Sequence, residues 1–178
     1  HKILVAKGCF KVGLYKQGLL HDMSKYSPTE FWVGAKYYQG TRSPNNAERE
    51  DIGYSSAWLH HKGRNKHHYE YWIDYSMQAL PGGMAPVPMP DKYIAEMIMD
   101  RIAASKVYMG GEYTDRSPLD YYYQGTDRAP IHPETKAKLL YVLEMLAEEG
   151  EEKTFRFIKA ELVQHKRCMD WHQLEKAE

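Results

Sequence analysis

Four of the nine histidines fall between His60 and His68, and a fifth, His21, directly precedes Asp22 in the stretch HDMSK. Imidazole nitrogens and carboxylate oxygens together suit a divalent cation, and such ligands do not choose among manganese, iron, nickel, cobalt and zinc. A carboxylate beside a histidine can bridge two ions while the ring fixes one. Such a pair can also be no more than a capped helix end, so its weight depends on what joins it. Read as one helix, residues 58 to 72 bring Trp58, His61, Asn65, His68 and Trp72 onto one face. Tryptophans at both ends turn that face inward, and buried imidazoles need partners, which a metal supplies. His60, Arg64, His67 and Tyr71 form the next stripe, which would border the opening and could hold a phosphate. A histidine-rich helix facing water is the plainer alternative. Asp100 has Glu96, Met97, Ala103 and Ala104 as helical neighbours, which predicts a buried carboxylate. It then needs a metal, hydrogen bonds or a cation such as Arg101.

These residues must be positioned by helices, because helical periodicity dominates and no stretch alternates strictly enough for a strand. The fold class is all-α, a single domain over 1–178 with about six to seven helices. The first helix is predicted from His1 to Leu19, with His1, Leu4, Val5, Gly8 and Val12 on one face. Ser27, Pro28 and Glu30 form a start signal for a helix reaching Tyr38: a capping hydroxyl, a proline at the first position and a glutamate at the third. A loop from Gly40 to Asn46 precedes helical pattern from Ala47 to Tyr75, with a break offered by Gly63. The proline-rich stretch 80–90 reads as a loop long enough to act as a lid. Asp91 to Met109 is an apolar helix, followed by a tyrosine-rich connection through Tyr121, Tyr122 and Tyr123. Two helices, Pro133 to Glu149 and Glu152 to Leu174, close the chain around Gly150.

Composition narrows the function classes. Basic and acidic residues number 24 each, so no overall field draws nucleic acid or an anionic membrane, and phosphate recognition must be local. Cys9 and Cys168 lie far apart, and no signal peptide or long apolar span is visible, which reads as a reduced, cytoplasmic protein. His132, His165 and His172 read as structural or solvated. The first residue is His1 rather than methionine, which leaves a native residue and a purification-tag remnant both open.

The order of these residues resembles the HD-domain superfamily of metal-dependent phosphohydrolases: a histidine, a His-Asp pair, further histidines and a distant aspartate, all on helices. By that resemblance His1 is the leading histidine, His21 and Asp22 the signature pair, and Asp100 the closing aspartate. His61, His67 and His68 are similar to the extra histidines of members that bind two metals. Lys25, in HDxxK order, is similar to the lysine of the subgroup that hydrolyses cyclic dinucleotides. That subgroup's GYP motif is missing here, and its interval is longer than His61 to His68. A closer likeness is to an uncharacterised bacterial and phage family of small HD-like helical proteins. It rests on His1-Lys2, Gly18 to Lys25 (GLLHDMSK), Glu30-Phe31 and Ala57 to Trp72 (AWLHHKGRNKHHYEYW), and extends over Pro88 to Tyr108. This likeness favours a native His1.

The resemblance implies one or two divalent cations held by His1, His21, Asp22, His61, His67, His68 and Asp100, and hydrolysis of a nucleotide or another small phosphate ester. Lys25, Arg64 and Lys66 would neutralise the phosphoryl oxygens, Asn65 would orient a ligand or the substrate, and Glu70 would hold an imidazole in one tautomer. Two other readings use the same residues. One is a di-iron oxygenase of the inositol-oxygenase type; the other is a non-catalytic metal- or nucleotide-binding protein.

Overall fold

The first twenty residues form two helices where the apolar spacing predicts one. In the computed structural model, which describes residues 1–40, 42–77, 83–125, 128–166 and 171, α1 (Lys2–Val12) stops at Gly13 in the left-handed region. The N–H groups of Gly13 and Leu14 donate to the carbonyls of Phe10 and Cys9 at 3.1 and 2.8 Å, closing the helix end. α2 (Tyr15–Leu20) then packs back on α1.

A 3-10 turn, Met23–Tyr26, leads to α3 (Pro28–Lys36), where the Ser27 hydroxyl accepts from the N–H of Glu30 as the start signal predicts. α4 (Pro44–Ile52) begins inside the stretch expected to be loop, with Pro44 in its first turn. Its buried Glu48 accepts from the hydroxyls of Ser55 and Ser56, both at 2.6 Å, and so anchors the start of α5 (Ser56–Lys62).

The predicted continuous helix from Ala47 to Tyr75 is broken twice, at Gly53 and after Lys62. At the second break the carbonyl of His61 takes N–H groups from Arg64 and Asn65 and also the Asn65 side-chain amide, at 2.8 Å. A side chain competing for a backbone carbonyl ends the helix there. Turns follow, then a 3-10 segment, Tyr69–Trp72. β1 (Ile73–Tyr75) pairs antiparallel with β2 (Met84–Pro86), with Ile73 opposite Pro86. This small hairpin was not foreseen, because three residues are too few to show a period. Part of the proline-rich stretch is therefore strand, while residues 78–82 lie outside the described residues.

α6 (Asp91–Met109) has the predicted bounds and lies at the centre, with Ile94, Ile98 and Ile102 buried against Val5 and Cys9 of α1. The tyrosine-rich connection contains a further helix, α7 (Ser117–Tyr123), whose Leu119 and Tyr122 enter the core. α8 (Pro133–Ile158) contributes Leu139, Val142, Leu143 and Leu146 at helical spacing. Gly150, with φ 78° and ψ 171°, is non-helical and divides α8 at a kink into two helical segments, at the position where the sequence predicts a stop. A π-helical turn, Lys159–Val163, follows, and the helix ends there, before the predicted end at Leu174. Leu174, Cys168 and His172 lie outside the described residues. The described residues thus hold eight α-helices and one two-stranded sheet, against six to seven expected helices. None of the described helices is long and apolar enough to cross a membrane.

One contact sets up the site. A Cβ on Gly8 would come within 2.8 Å of Met99 Sδ, so glycine allows α1 to lie directly on α6. His1, two turns before Gly8, is thereby brought against Asp100, the residue after Met99.

Candidate metal centre

His21 and Asp22 leave α2 through a sharp turn. His21 is extended, Asp22 has φ 55°, and the 3-10 turn begins immediately afterwards. Aspartate tolerates this left-handed conformation better than most residues. The turn sends both adjacent side chains into the interior, where they are buried.

Three elements meet them there. From α1, His1 Nε2 lies 2.8 Å from Asp100 Oδ1, and His21 Nε2 lies 3.5 Å from the same oxygen. From α5, His61 Nε2 lies 3.2 Å from Asp22 Oδ1, and from the segment after it His67 Nε2 lies 3.3 Å from the same oxygen. The His61 and His68 Nε2 atoms are 2.9 Å apart. The other oxygen of Asp22 faces His21 Nε2 at 3.4 Å. Two groups of ligand atoms result, His1, His21 and Asp100 on one side and Asp22, His61, His67 and His68 on the other. Asp22 lies between them. His21 Nε2, His67 Nε2 and Asp22 Oδ1 are buried without a directed hydrogen bond among the described residues. Leaving such atoms unpaired is costly, and cations held by the two groups would satisfy them. The donor set therefore fits a divalent metal.

The rings are held from behind by two carboxylates. A single oxygen of Glu96, on α6, takes His21 Nδ1 at 3.0 Å and His67 Nδ1 at 3.2 Å. Glu30, on α3, takes His61 Nδ1 at 2.8 Å and His60 Nδ1 at 2.6 Å. Fixing Nδ1 in this way leaves Nε2 of His21, His61 and His67 directed at the centre, the usual arrangement behind metal-binding histidines.

Charge is distributed accordingly. Burial opposes protonation of His21, but Asp100 and Glu96 outweigh it and raise its pKa. Burial also opposes protonation of His67, yet Asp22 and Glu96 lift it from 6.5 to about 10. Burial and the charge on His67 push His68 well below its ordinary value, so it is neutral. Burial would raise Asp22, but His61, His67 and Lys25 hold it well below the usual carboxylate range. Asp100 is drawn down against burial to about 2 by His21 and the charge on His67.

Three pH effects follow for the metal-free protein. The stabilisation from His67 is fully present below pH 6.5 and is lost as pH rises through about 10. That from Asp100 is present above its ordinary 3.8 and lost as pH falls through about 2. Burial of neutral His68 acts in the opposite sense, opposing folding as pH falls below 6.5, so melting temperature is expected to be highest near pH 6.5 and to fall on both sides. Metal uptake must expel the His67 proton, so affinity should climb by about tenfold per pH unit for each proton displaced. A titration showing pH-independent affinity between 6 and 9 would contradict this protonation scheme.

The remaining predicted residues land in different places. Lys25 touches the centre, its ammonium ion-paired with Asp22 at 2.5 Å while about half of the side chain stays exposed. Burial would lower its pKa, but Asp22 overrides that and raises it, keeping the ammonium charged. Asn65 is a buried brace: its amide reaches Ser24 Oγ at 2.7 Å and the His61 carbonyl. Arg64 is exposed, with its guanidinium on the His60 carbonyl, and Lys66 lies over the rings of Tyr71 and Tyr93. Glu70 hydrogen-bonds Tyr69 rather than an imidazole. Trp58 stacks on His61 as expected, whereas Trp72 packs on Tyr93 and donates to the Lys66 carbonyl. His67, placed at the opening by the helical reading, is fully buried, because the break after Lys62 turns it inward. His132 caps α8 by accepting from the N–H of Glu134. Glu30 and Glu96 are the residues that sequence reasoning did not assign to the site.

Residues 1–145 match a family described as a family of unknown function, DUF5662, and this span contains every residue of the centre. No curated protein and no solved structure matches the chain.

Proposed function

For a chain that belongs to this DUF5662 family of unknown function, we propose a metal-dependent phosphohydrolase with an HD-like domain, acting on a nucleotide or another small phosphate ester. The observation that carries the reading is the convergence on Asp22 of four imidazoles and a charged, half-exposed lysine, with Asp100 and His1 alongside. His1, His21 and Asp100 would hold one divalent ion, and His61, His67 and His68 a second, with Asp22 shared. Such ions supply Lewis acidity toward a phosphoryl oxygen and make water a better nucleophile near neutral pH.

The chain's own groups then have defined tasks. Lys25 offers a cation to the non-bridging oxygens from the solvent side. Glu96 and Glu30 hold the rings still, and Asn65 fixes the backbone turn that presents His67 and His68. Hydrolysis forms a P–O bond to a water oxygen and breaks the ester P–O bond, and the departing alcohol takes up a proton. Protein loaded with manganese, iron, cobalt, nickel or zinc should release inorganic phosphate from at least one small phosphomonoester. Lys25→Met should cut kcat/KM by about a hundredfold, the scale of one lost donor at a charged transition state. Absence of phosphate release with all five metals would overturn the reading, and oxygen uptake by the iron-loaded protein would point to oxygenase chemistry instead.

A further inference from the structure

Helices α3, α4 and α5, with the end of α6, surround an open cavity of about 510 Å³ that runs outward from the centre. This is within the usual size of small-molecule sites, about 300–1,000 Å³. Its inner end is the centre itself, lined by Lys25, Glu30 and His61. Glu30 is already engaged by two imidazoles, so Lys25 is the cation offered there.

The outer part has another chemistry. Phe31, Tyr38 and Tyr108 present aromatic side chains that are 52%, 73% and 63% exposed. Gly34 and Ala35 keep the floor low between them, and Ser43 and Asn45 add neutral hydrogen-bonding groups. Apart from Lys25, Glu30 and His61, no ionisable group other than the two tyrosine hydroxyls lines the cavity among the described residues. A planar ring can stack on such aromatics, and its heteroatoms can pair with the serine and the amide. A second phosphate would lie against a wall without a cation.

We infer that this cavity receives the base of a nucleoside monophosphate, with its single phosphate at Lys25. The phosphate end rests on the hydrolase reading above, while the ring end rests on the cavity alone. Gly34 provides the test, because a Cβ there meets no atom within 4 Å, so a larger side chain can enter the cavity without disturbing the fold.

Calorimetric titration of the metal-free protein with uridine 5′-monophosphate, uridine 5′-diphosphate and glycerol phosphate measures binding apart from turnover. The nucleoside monophosphate should bind at least about tenfold more tightly than glycerol phosphate, the scale of one stacking contact. The diphosphate should gain nothing further. Gly34→Leu and, separately, Tyr38→Ala should remove that preference while melting temperature and metal content stay at the level of the unaltered protein. Equal binding of the nucleotide and glycerol phosphate, a clear gain for the diphosphate, or a preference intact in both variants would overturn the inference even if the manganese-loaded protein hydrolyses esters. A preference lost in both variants, with no phosphate released from any ester, would uphold the cavity and sink the hydrolase reading instead.

Discussion

Asp22→Ala is expected to lose bound transition metal and phosphate release together, because this carboxylate stands between the two groups of ligand atoms. Its Oδ1 stands within 3.3 Å of the Nε2 atoms of His61 and His67, and its Oδ2 faces His21. Removing it leaves mutually repelling imidazoles and an uncompensated Lys25 in a buried space. Alanine also fits φ 55° less well than aspartate, which adds about 1 kcal/mol of backbone cost. Asp22→Asn separates the two effects, since asparagine tolerates the same backbone and has the same shape but lacks the charge. Elemental analysis of protein purified without chelator or nickel resin should find near-stoichiometric metal in the unaltered protein, and little in either variant. Equal metal content in all three, or none in the unaltered protein even after reconstitution with manganese or iron, would remove the centre from consideration.

The centre was legible in the sequence to the extent that its ligands are unusual residues at unusual density. His21-Asp22 and the run His60 to His68 are noticeable without any knowledge of the fold, and Asp100 is noticeable as a carboxylate on an apolar helix. Glu30 and Glu96 were not, because each already had a sufficient local explanation. Glu30 completes a helix-start signal, and Glu96 is one turn before Asp100. Their roles depend on partners 30, 31 and 75 residues away, a distance no periodicity reports. For a related reason, helical spacing puts His67 at the opening, although the family likeness counts it among the ligands. The spacing argument holds only while the helix continues, and the helix ends at Lys62, where the amide of Asn65 takes the His61 carbonyl. α6 was read to the residue because it is long and apolar on most sides, whereas α7 and the hairpin are too short for a period to emerge.

Glu96 is the residue at which support and ligation can be told apart. One of its oxygens accepts from both His21 and His67, on the side of each ring away from Asp22. Glu96→Ala leaves two buried N–H groups unpaired and removes the charge that favours protonation of both rings, so a loss of about 3–5 kcal/mol in unfolding free energy is expected for the metal-free protein. Denaturant titration measures it. Glu96→Gln keeps an oxygen where the two rings need an acceptor, and it should retain most of that stability. If Glu96 only orients the rings, the glutamine variant binds metal about tenfold to a hundredfold more weakly yet still fills at high metal concentration. Loss as complete as that expected for Asp22→Asn would make Glu96 a ligand. The metal would then sit on the Nδ1 side of His21 and His67, where those two rings and Glu96 form a third group of converging ligand atoms.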